Sequence, residues 1–284
     1  MSIGVLHPGQ MGSYLAATLK RSGHDVAWCS AGRSSATGTR ATEIGLREIP
    51  DLGTLAREVE VLFGVCPPHA AEAVLQQVLD AGFQGHFVDA NAIAPQRSRL
   101  LAQRMAEQGG RYTDGGIVGG PDWKGETTCL YLSGPDCEQI AALFKRGPLQ
   151  VKELNPEIGA ASALKMCYAA YTKGSTALLA TILAAAEAYK VRPDLESQWA
   201  SDWPEFDQQA RNRTRRVTAK AWRFAGEMAE ISNAFKAAGL PGDFHAGAEE
   251  IYRRMSSFKG AESPPELLDV LHALIAESGK ESAK

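Results

Sequence analysis

The chain has 284 residues, 44% of them hydrophobic, with 30 Lys and Arg against 33 Asp and Glu, a formal charge of −3 and a pI near 6.1. That length supports one large domain or two ordinary ones, and the nearly balanced charge excludes any overall attraction to nucleic acid or to an anionic membrane. Five cysteines (Cys29, Cys66, Cys129, Cys137 and Cys167) form no C-x-x-C pair and no metal-like spacing with the six histidines, which is the usage of reduced thiols in a cytoplasmic protein with no metal site.

In chain order, short apolar runs at 3–6, 26–29, 61–65, 86–89, 111–114, 127–132 and 149–151 read as strands. Amphipathic patterns over 10–22, 69–79 and 95–107 read as helices between them. Such alternation predicts a parallel sheet covered by helices on both faces. The first strand is expected to start at residue 2, which leaves no room for a signal peptide. After Pro156 strand-like runs stop, and helical periodicity takes over at 158–190, 206–238, 243–257 and 265–277, punctuated by Pro241-Gly242 and Pro264-Pro265. The stretch 175–189 is rich in Ala and Thr, too short and too polar to span a bilayer, and reads as a buried helix. A charged tail follows at 279–284. The expectation is an α/β domain over 1–153 and an all-α domain over 154–284, joined by one long helix.

The first strand runs into "HPGQMG", residues 7–12. A dinucleotide-binding turn, G-x-G-x-x-G, uses its first glycine to leave the strand, its second to admit the pyrophosphate and its third to pack helix on strand. Gly9 and Gly12 supply the second and third, while His7 stands in place of the first, ahead of Pro8. Gly9, Gln10, Met11 and Gly12 are therefore expected to hold a pyrophosphate at the helix N-terminus; the alternative is an ordinary strand-to-helix loop. At the end of the second strand, "VAWCSAGRSSAT" (26–37) lacks the acid that usually holds a ribose 2′-hydroxyl. Arg33, flanked by Ser30, Ser34 and Ser35, suits a 2′-phosphate, so NADP(H) is expected over NAD(H). A solvated loop arginine is the competing reading.

At this point a family resemblance emerges. "HPGQMG" resembles the G-L-G-x-M-G turn of the β-hydroxyacid dehydrogenase superfamily, which includes 3-hydroxyisobutyrate and 6-phosphogluconate dehydrogenases. "VCPP" (65–68) resembles the loop beside the nicotinamide, "VDANAIAP" (88–95) the V-D-x-S-T-x-x-P segment, and "DGGIVGG" (114–120) the D-x-P-V-S-G-G substrate loop. "GAASALKMCYAAYTKG" (159–174) resembles the catalytic helix G-x-G-x-x-x-K-x-x-N-N. The helical half is similar to that of a prokaryotic branch described as phosphogluconate-dehydrogenase-like. The resemblance implies a Rossmann domain followed by a helical domain, Cys66, Pro67 and Asn91 near the nicotinamide half, and Gly119 and Gly120 on a substrate carboxylate. It also implies a homodimer through the helical domain. Asn91 and Ala92 replace the Ser-Thr pair, Val118 replaces a serine, and Tyr168 and Ala169 replace the two asparagines. The departures cluster on the substrate side, which points to a changed substrate with the cofactor retained.

Lys165 stands in a run of small and apolar residues, next at helical spacing to Ala161, Ser162, Tyr168, Ala169 and Thr172. It either snorkels to solvent or is held in a cleft where desolvation moves its pKa toward neutrality and makes it a general acid/base. The resemblance favours the second role, with Tyr168 as a further substrate contact; Lys220, within the basic run that follows, is the alternative contact for a second anionic group. The basic run from Arg211 to Arg223 reads as a solvated helix face, and His245 as a satisfied structural histidine. The expected activity is an NADP-dependent hydride transfer to or from a small carboxylate-bearing substrate. An imine reductase, with Tyr168 as its proton donor, and a non-catalytic NADP-binding protein are the alternatives.

Overall fold

The computed structural model describes residues 1–124 and 127–275; the charged tail and the last residues of the final predicted helix lie outside them. Contacts divide the chain into two compact units, Met1–Met166 and Cys167 onward. The first holds β1 (Ile3–Val5), β2 (Val26–Cys29), β3 (Arg47–Ile49), β4 (Val61–Gly64), β5 (His86–Asp89), β6 (Arg111–Val118), β7 (Cys129–Ser133) and β8 (Gln150–Glu153). They form one sheet in the order β3-β2-β1-β4-β5-β6-β7-β8. Neighbouring strands run parallel except β6 and β7. The connection from Val118 to Cys129 is too short for the dozen or more residues a parallel crossover needs, so β7 returns antiparallel.

The central strands IGV, VAWC, VLFG and HFVD are buried along their whole length, because helices cover both faces. On one face lie α1 (Gln10–Arg21), α2 (Ser35–Glu43) and α6 (Cys137–Ala141), packing Tyr14, Leu15, Leu19, Ala41 and Ile140 against the sheet. On the other lie α3 (Leu52–Glu58), α4 (Ala71–Asp80) and α5 (Pro95–Glu107), through Leu55, Leu75, Val78, Leu101 and Met105. The order reverses between β1 and β4, and in open α/β sheets ligands bind outside the carboxyl ends of the strands at that reversal.

Besides the short helices α2, α3 and α6, which the patterns above do not include, three elements depart from the sequence expectation. β3 (REI) was not anticipated: it is an edge strand with Arg47 and Glu48 exposed, so it has no apolar run to find. β6 continues to Val118, four residues past the expected end, because Gly115 and Gly116 sit within the strand rather than ending it. A Cβ at Gly115 would meet the Asp89 carbonyl oxygen at 2.8 Å, and one at Gly116 the Ala161 carbonyl oxygen at 2.6 Å. The third, α9 (Arg192–Asp202), buries no residue and so carries no apolar stripe.

One long helical path links the units: α7 (Ala160–Ala169), a π-helical turn (Ala170–Gly174) and α8 (Ser175–Ala188). In the helical unit α8 packs against α10 (Phe206–Val217), α12 (Asp243–Arg254) and α13 (Leu267–Ile275), while α11 (Ala221–Ala237) pairs with α12. Among the described residues no helix is long and apolar enough to cross a membrane.

Candidate functional site

The carboxyl end of β1 answers the question of the missing glycine. The Gly9 N–H donates to the His7 carbonyl oxygen at 2.7 Å, a bond from residue i+2 to residue i that closes a γ-turn around Pro8. Neither His7 nor Pro8 takes a positive φ, so this exit from the strand asks for no glycine. Gly12 does ask for one. A Cβ on Gly12 would lie 2.0 Å from the His7 carbonyl oxygen, so only glycine lets α1 approach the strand this closely. Gly9 has nothing within 4 Å of such a Cβ and therefore borders open space. No side chain caps α1 and no acid stands in its first turn, whereas Ser34 caps α2 and Asp51 caps α3. An uncapped helix end facing open space beside a glycine is the donor set that a pyrophosphate fits.

His7 and Arg33 line one side of the turn, in a cavity of about 420 Å³ shared with Leu6, Cys29, Leu52, Val74 and Gln77. His7 Nδ1 and Arg33 Nε are both buried without a hydrogen-bond partner. Burial, with the Arg33 charge adding to it, lowers the His7 pKa to about 4, so the imidazole is neutral. The two serines have local partners. Ser34 Oγ accepts the Thr37 N–H at 3.3 Å as the cap of α2, and Ser30 Oγ donates to the Ile49 carbonyl at 3.4 Å. The sequence reading passed over Arg40. Folding of α2 returns it to the turn, where Nε donates to the Pro8 carbonyl at 3.2 Å and a terminal nitrogen to Thr37 Oγ1 at 3.2 Å.

At the end of β4, the Cys66 N–H donates to Asn91 Oδ1 at 2.5 Å, and the Asn91 N–H donates to Asp89 Oδ1 at 2.8 Å. Asn91 thus ties the loops after β4 and β5 together, with Pro67 exposed at the tip. Burial, then the neighbouring Asp89 carboxyl, pushes the Cys66 thiol up to about 12, which rules it out as a nucleophile at neutral pH. Asp89 is itself fully buried, and that burial, together with Asp114 and against the Asn91 N–H, raises its pKa to about 7.

Asp114 on β6 is satisfied instead. Its Oδ1 accepts from Ser98 Oγ (2.8 Å) and Ser162 Oγ (2.6 Å). Its Oδ2 accepts from Ser133 Oγ (3.0 Å), the Gly159 N–H (3.1 Å) and the Ser162 N–H (2.9 Å). This carboxylate anchors the first turn of α7 to the sheet, and a negative charge there also complements the helix dipole. One turn along α7, Lys165 Nζ donates to the Ile117 carbonyl at 2.5 Å, on the same strand. Lys165 is partly buried. β6 then leads into Gly119, whose φ of +106° and contact with Thr128 (2.8 Å for a built Cβ) both require glycine. Thr128 Oγ1 donates to the Gly120 carbonyl. The first unit therefore brings together, around the carboxyl ends of its strands, residues 9–12, 30, 33 and 34, 66 and 67, 91, 119 and 120, and 165.

The other predicted residues belong to the helical unit. Tyr168 is 48% exposed near the end of α7, and Lys220 is exposed in the short turn before α11. The basic run is more engaged than a solvated face. Arg211 pairs with Glu196 and Asp207, Arg213 donates to Ser175 and Thr176 hydroxyls at 2.8 Å, and Arg215 donates to the Pro265 carbonyl at 2.7 Å. Lys173, in the π turn, pairs with the buried Glu227 and lies over the Phe224 ring. His245 is buried against Phe235 and Phe244, but its Nδ1 has no hydrogen-bond partner. Among the described residues no cluster of His, Cys, Asp or Glu could hold a metal ion.

A parallel sheet that reverses beside an uncapped, glycine-bordered helix end defines a dinucleotide-binding α/β protein with a helical second unit. The chain belongs to the family of the NAD binding domain of 6-phosphogluconate dehydrogenase, which matches residues 2–145. A domain of unknown function (DUF1932) matches residues 186–255. An uncharacterized 28.5 kDa protein in the 7S RNA 5′ region of Methanothermus fervidus is 27% identical over 187 residues, 66% of this chain and 71% of its own length. The solved conserved protein MTH1747, itself described as structurally similar to 3-hydroxyacid dehydrogenases, is 26% identical, with a TM-score of 0.66 over 90% of this chain and 97% of that one. The 3-hydroxyisobutyrate dehydrogenase of Mycobacterium tuberculosis shares the fold, with 18% identity and a TM-score of 0.70 over 97% of this chain and 99% of its own.

Proposed function

We propose that the protein is a cytoplasmic NADP-dependent oxidoreductase acting on a small carboxylate-bearing carbonyl or alcohol, with Lys165 as general acid and base. NADP, when bound, supplies or accepts the hydride. Gly9 leaves room for the pyrophosphate, and Gln10 to Gly12 hold it through backbone N–H groups. Arg33 favours the phosphorylated ribose, with Ser30 and Ser34 beside it, and Cys66, Pro67 and Asn91 form the nicotinamide end. Gly119 and Gly120 offer backbone N–H groups to the substrate carboxylate. In reduction Lys165 Nζ–H gives its proton to the developing alkoxide; in oxidation the neutral amine takes the hydroxyl proton.

The observation that carries this reading is the mounting of Lys165. Its helix is anchored by the buried Asp114 and its ammonium by Ile117, both on the strand that leads into Gly119. A lysine that merely snorkelled to solvent would not need a backbone acceptor at 2.5 Å. The test is a carbonyl and alcohol panel with NADPH and NADP, run on the wild type and on Lys165→Met. The variant should fold and bind NADPH normally while kcat falls about 10²–10⁴-fold, with loss of the pH-profile limb that the lysine sets. Near-normal turnover would exclude the role and make Tyr168 the donor to test next. NADPH binding with no turnover across the panel would favour a non-catalytic binding protein.

We also propose that the helical unit pairs with a second copy of the chain. Leu178 (44% exposed) on α8 and Tyr189 (80%) at its end are 11 residues apart, a helical spacing, and Tyr171 (75%) is exposed in the π turn before them. Sedimentation of the wild type against Leu178→Glu tests this, and a wild type that sediments as a monomer would refute it.

A further inference from the structure

We propose that Arg40 is a second phosphate-reading residue of the dinucleotide site, gripping the 2′-phosphate of the adenosine ribose. This rests on the reading of the ligand as NADP(H), and it assigns a residue that lies outside the glycine turn and the loop after β2. Arg40 belongs to the last turn of α2, yet its guanidinium reaches back to the turn after β1 and hydrogen-bonds Pro8 and Thr37. Both of its partners are neutral oxygens, and among the described residues Arg40 makes no ion pair. The next arginine along the chain shows the contrast: Arg47 is neutralised by Asp25 at 3.0 Å and Glu58 at 2.7 Å. Glu43 lines the same cavity as Arg40, with Gln10 and Ser13, and does not pair with it.

A guanidinium that makes no ion pair is held beside the uncapped positive end of α1. Two like charges in one place raise the energy unless an anion comes between them. The position of Arg40 selects which phosphate. Its contact is to Pro8, before Gly9, whereas the N–H groups that face a pyrophosphate start at Gln10. It also comes from the segment after β2, which is where the ribose hydroxyls are read. From Arg40 a chain of hydroxyls runs to Thr37 Oγ1 and on to Ser34 Oγ at 3.1 Å, the residue next to Arg33. A phosphomonoester dianion with three free oxygens can use a guanidinium fork and neighbouring hydroxyls together. The bridging pyrophosphate has its own donors in the turn.

The experiment is a binding titration of the wild type, Arg40→Gln and Arg40→Lys against NADPH, NADH, adenosine 2′,5′-bisphosphate and 5′-AMP. Arg40→Gln should lose about ten- to a hundredfold in affinity for NADPH and the bisphosphate, while NADH and 5′-AMP stay within about twofold. Arg40→Lys should recover part of the loss, because it keeps the charge without the fork; it also carries the test if Arg40→Gln melts early. Equal losses for NADPH and NADH would make Arg40 a buttress of the turn or a pyrophosphate ligand and overturn the proposal. A wild type that prefers NADPH with an unaffected Arg40→Gln would overturn Arg40 alone. A wild type that binds both dinucleotides equally would remove the NADP reading and Arg40 with it.

Discussion

The glycines at 9 and 12 make opposite predictions, and the pair tests the turn more sharply than either alone. Gly12→Ala places a carbon 2.0 Å from the His7 carbonyl oxygen, more than 1 Å inside the ~3.3–3.6 Å of an ordinary C–H···O contact. Overpacking costs typically ~1–3 kcal/mol, and because both partners here are backbone the upper end applies, about 3 kcal/mol. At ~2–4 °C per kcal/mol for a chain near this size, the melting temperature should fall by about 6–12 °C. Gly9→Val meets nothing within 4 Å, and the Gly9 backbone (φ −68°, ψ −165°) is open to any residue, so its melting temperature should match the wild type. Its side chain would instead occupy the space the pyrophosphate needs. Losing two charge-assisted hydrogen bonds at about 1.5–3 kcal/mol each lowers NADPH affinity at least about a hundredfold. Thermal melts and fluorescence titration of NADPH read both effects. A Gly9→Val variant with unchanged affinity shows that the turn is not the site, and a Gly12→Ala variant that melts like the wild type refutes the packing argument.

Arg33→Ala should lose about ten- to a hundredfold in NADPH affinity and little for NADH; equal cofactor affinities in the unmodified protein would overturn that. Asp89 governs a pH effect whose sign follows from its raised pKa. The protonated carboxyl favours the folded state, so its contribution is complete below the unfolded value near ~3.9 and is lost as pH rises through about 7. Across that window it amounts to roughly 4 kcal/mol, about three pKa units. Asp89→Asn should abolish this slope, leaving the variant more stable than the wild type by an amount that grows from pH 5 to pH 8 in urea titrations. A constant difference across that range would show that Asp89 does not titrate there.

Most of the sheet was legible because its strands are buried on both faces and read as apolar runs; β2 and β5 match the sequence expectation residue for residue. The packing role of Gly12 was legible because that glycine answers one steric demand. What escaped shares a cause. Arg40 lies far along the chain from Pro8 and meets it only once α2 has folded. Asp114 was visible as a motif letter, but its donors come from α5, β7 and α7, and no local spacing announces such a convergence. The basic run of α10 looked solvated because its partners, such as Glu196 and Ser175, sit on neighbouring helices. Sequence patterns report local periodicity, and contacts between side chains distant in the chain leave no such period.

The γ-turn at His7-Pro8-Gly9 also bears on entropy. A glycine at position 7 would be the freest residue in the unfolded chain, whereas a residue followed by proline is already confined to extended angles, and proline itself has one φ. Replacing that freedom with His-Pro is worth on the order of 0.4–1 kcal/mol per position where the native backbone is compatible, and here it is, since neither residue takes a positive φ. The loop therefore reaches its folded shape with less disorder left to remove. For the pyrophosphate proposed at this turn, the first half of the cradle is stiff beforehand, so less binding energy would be spent on ordering the chain.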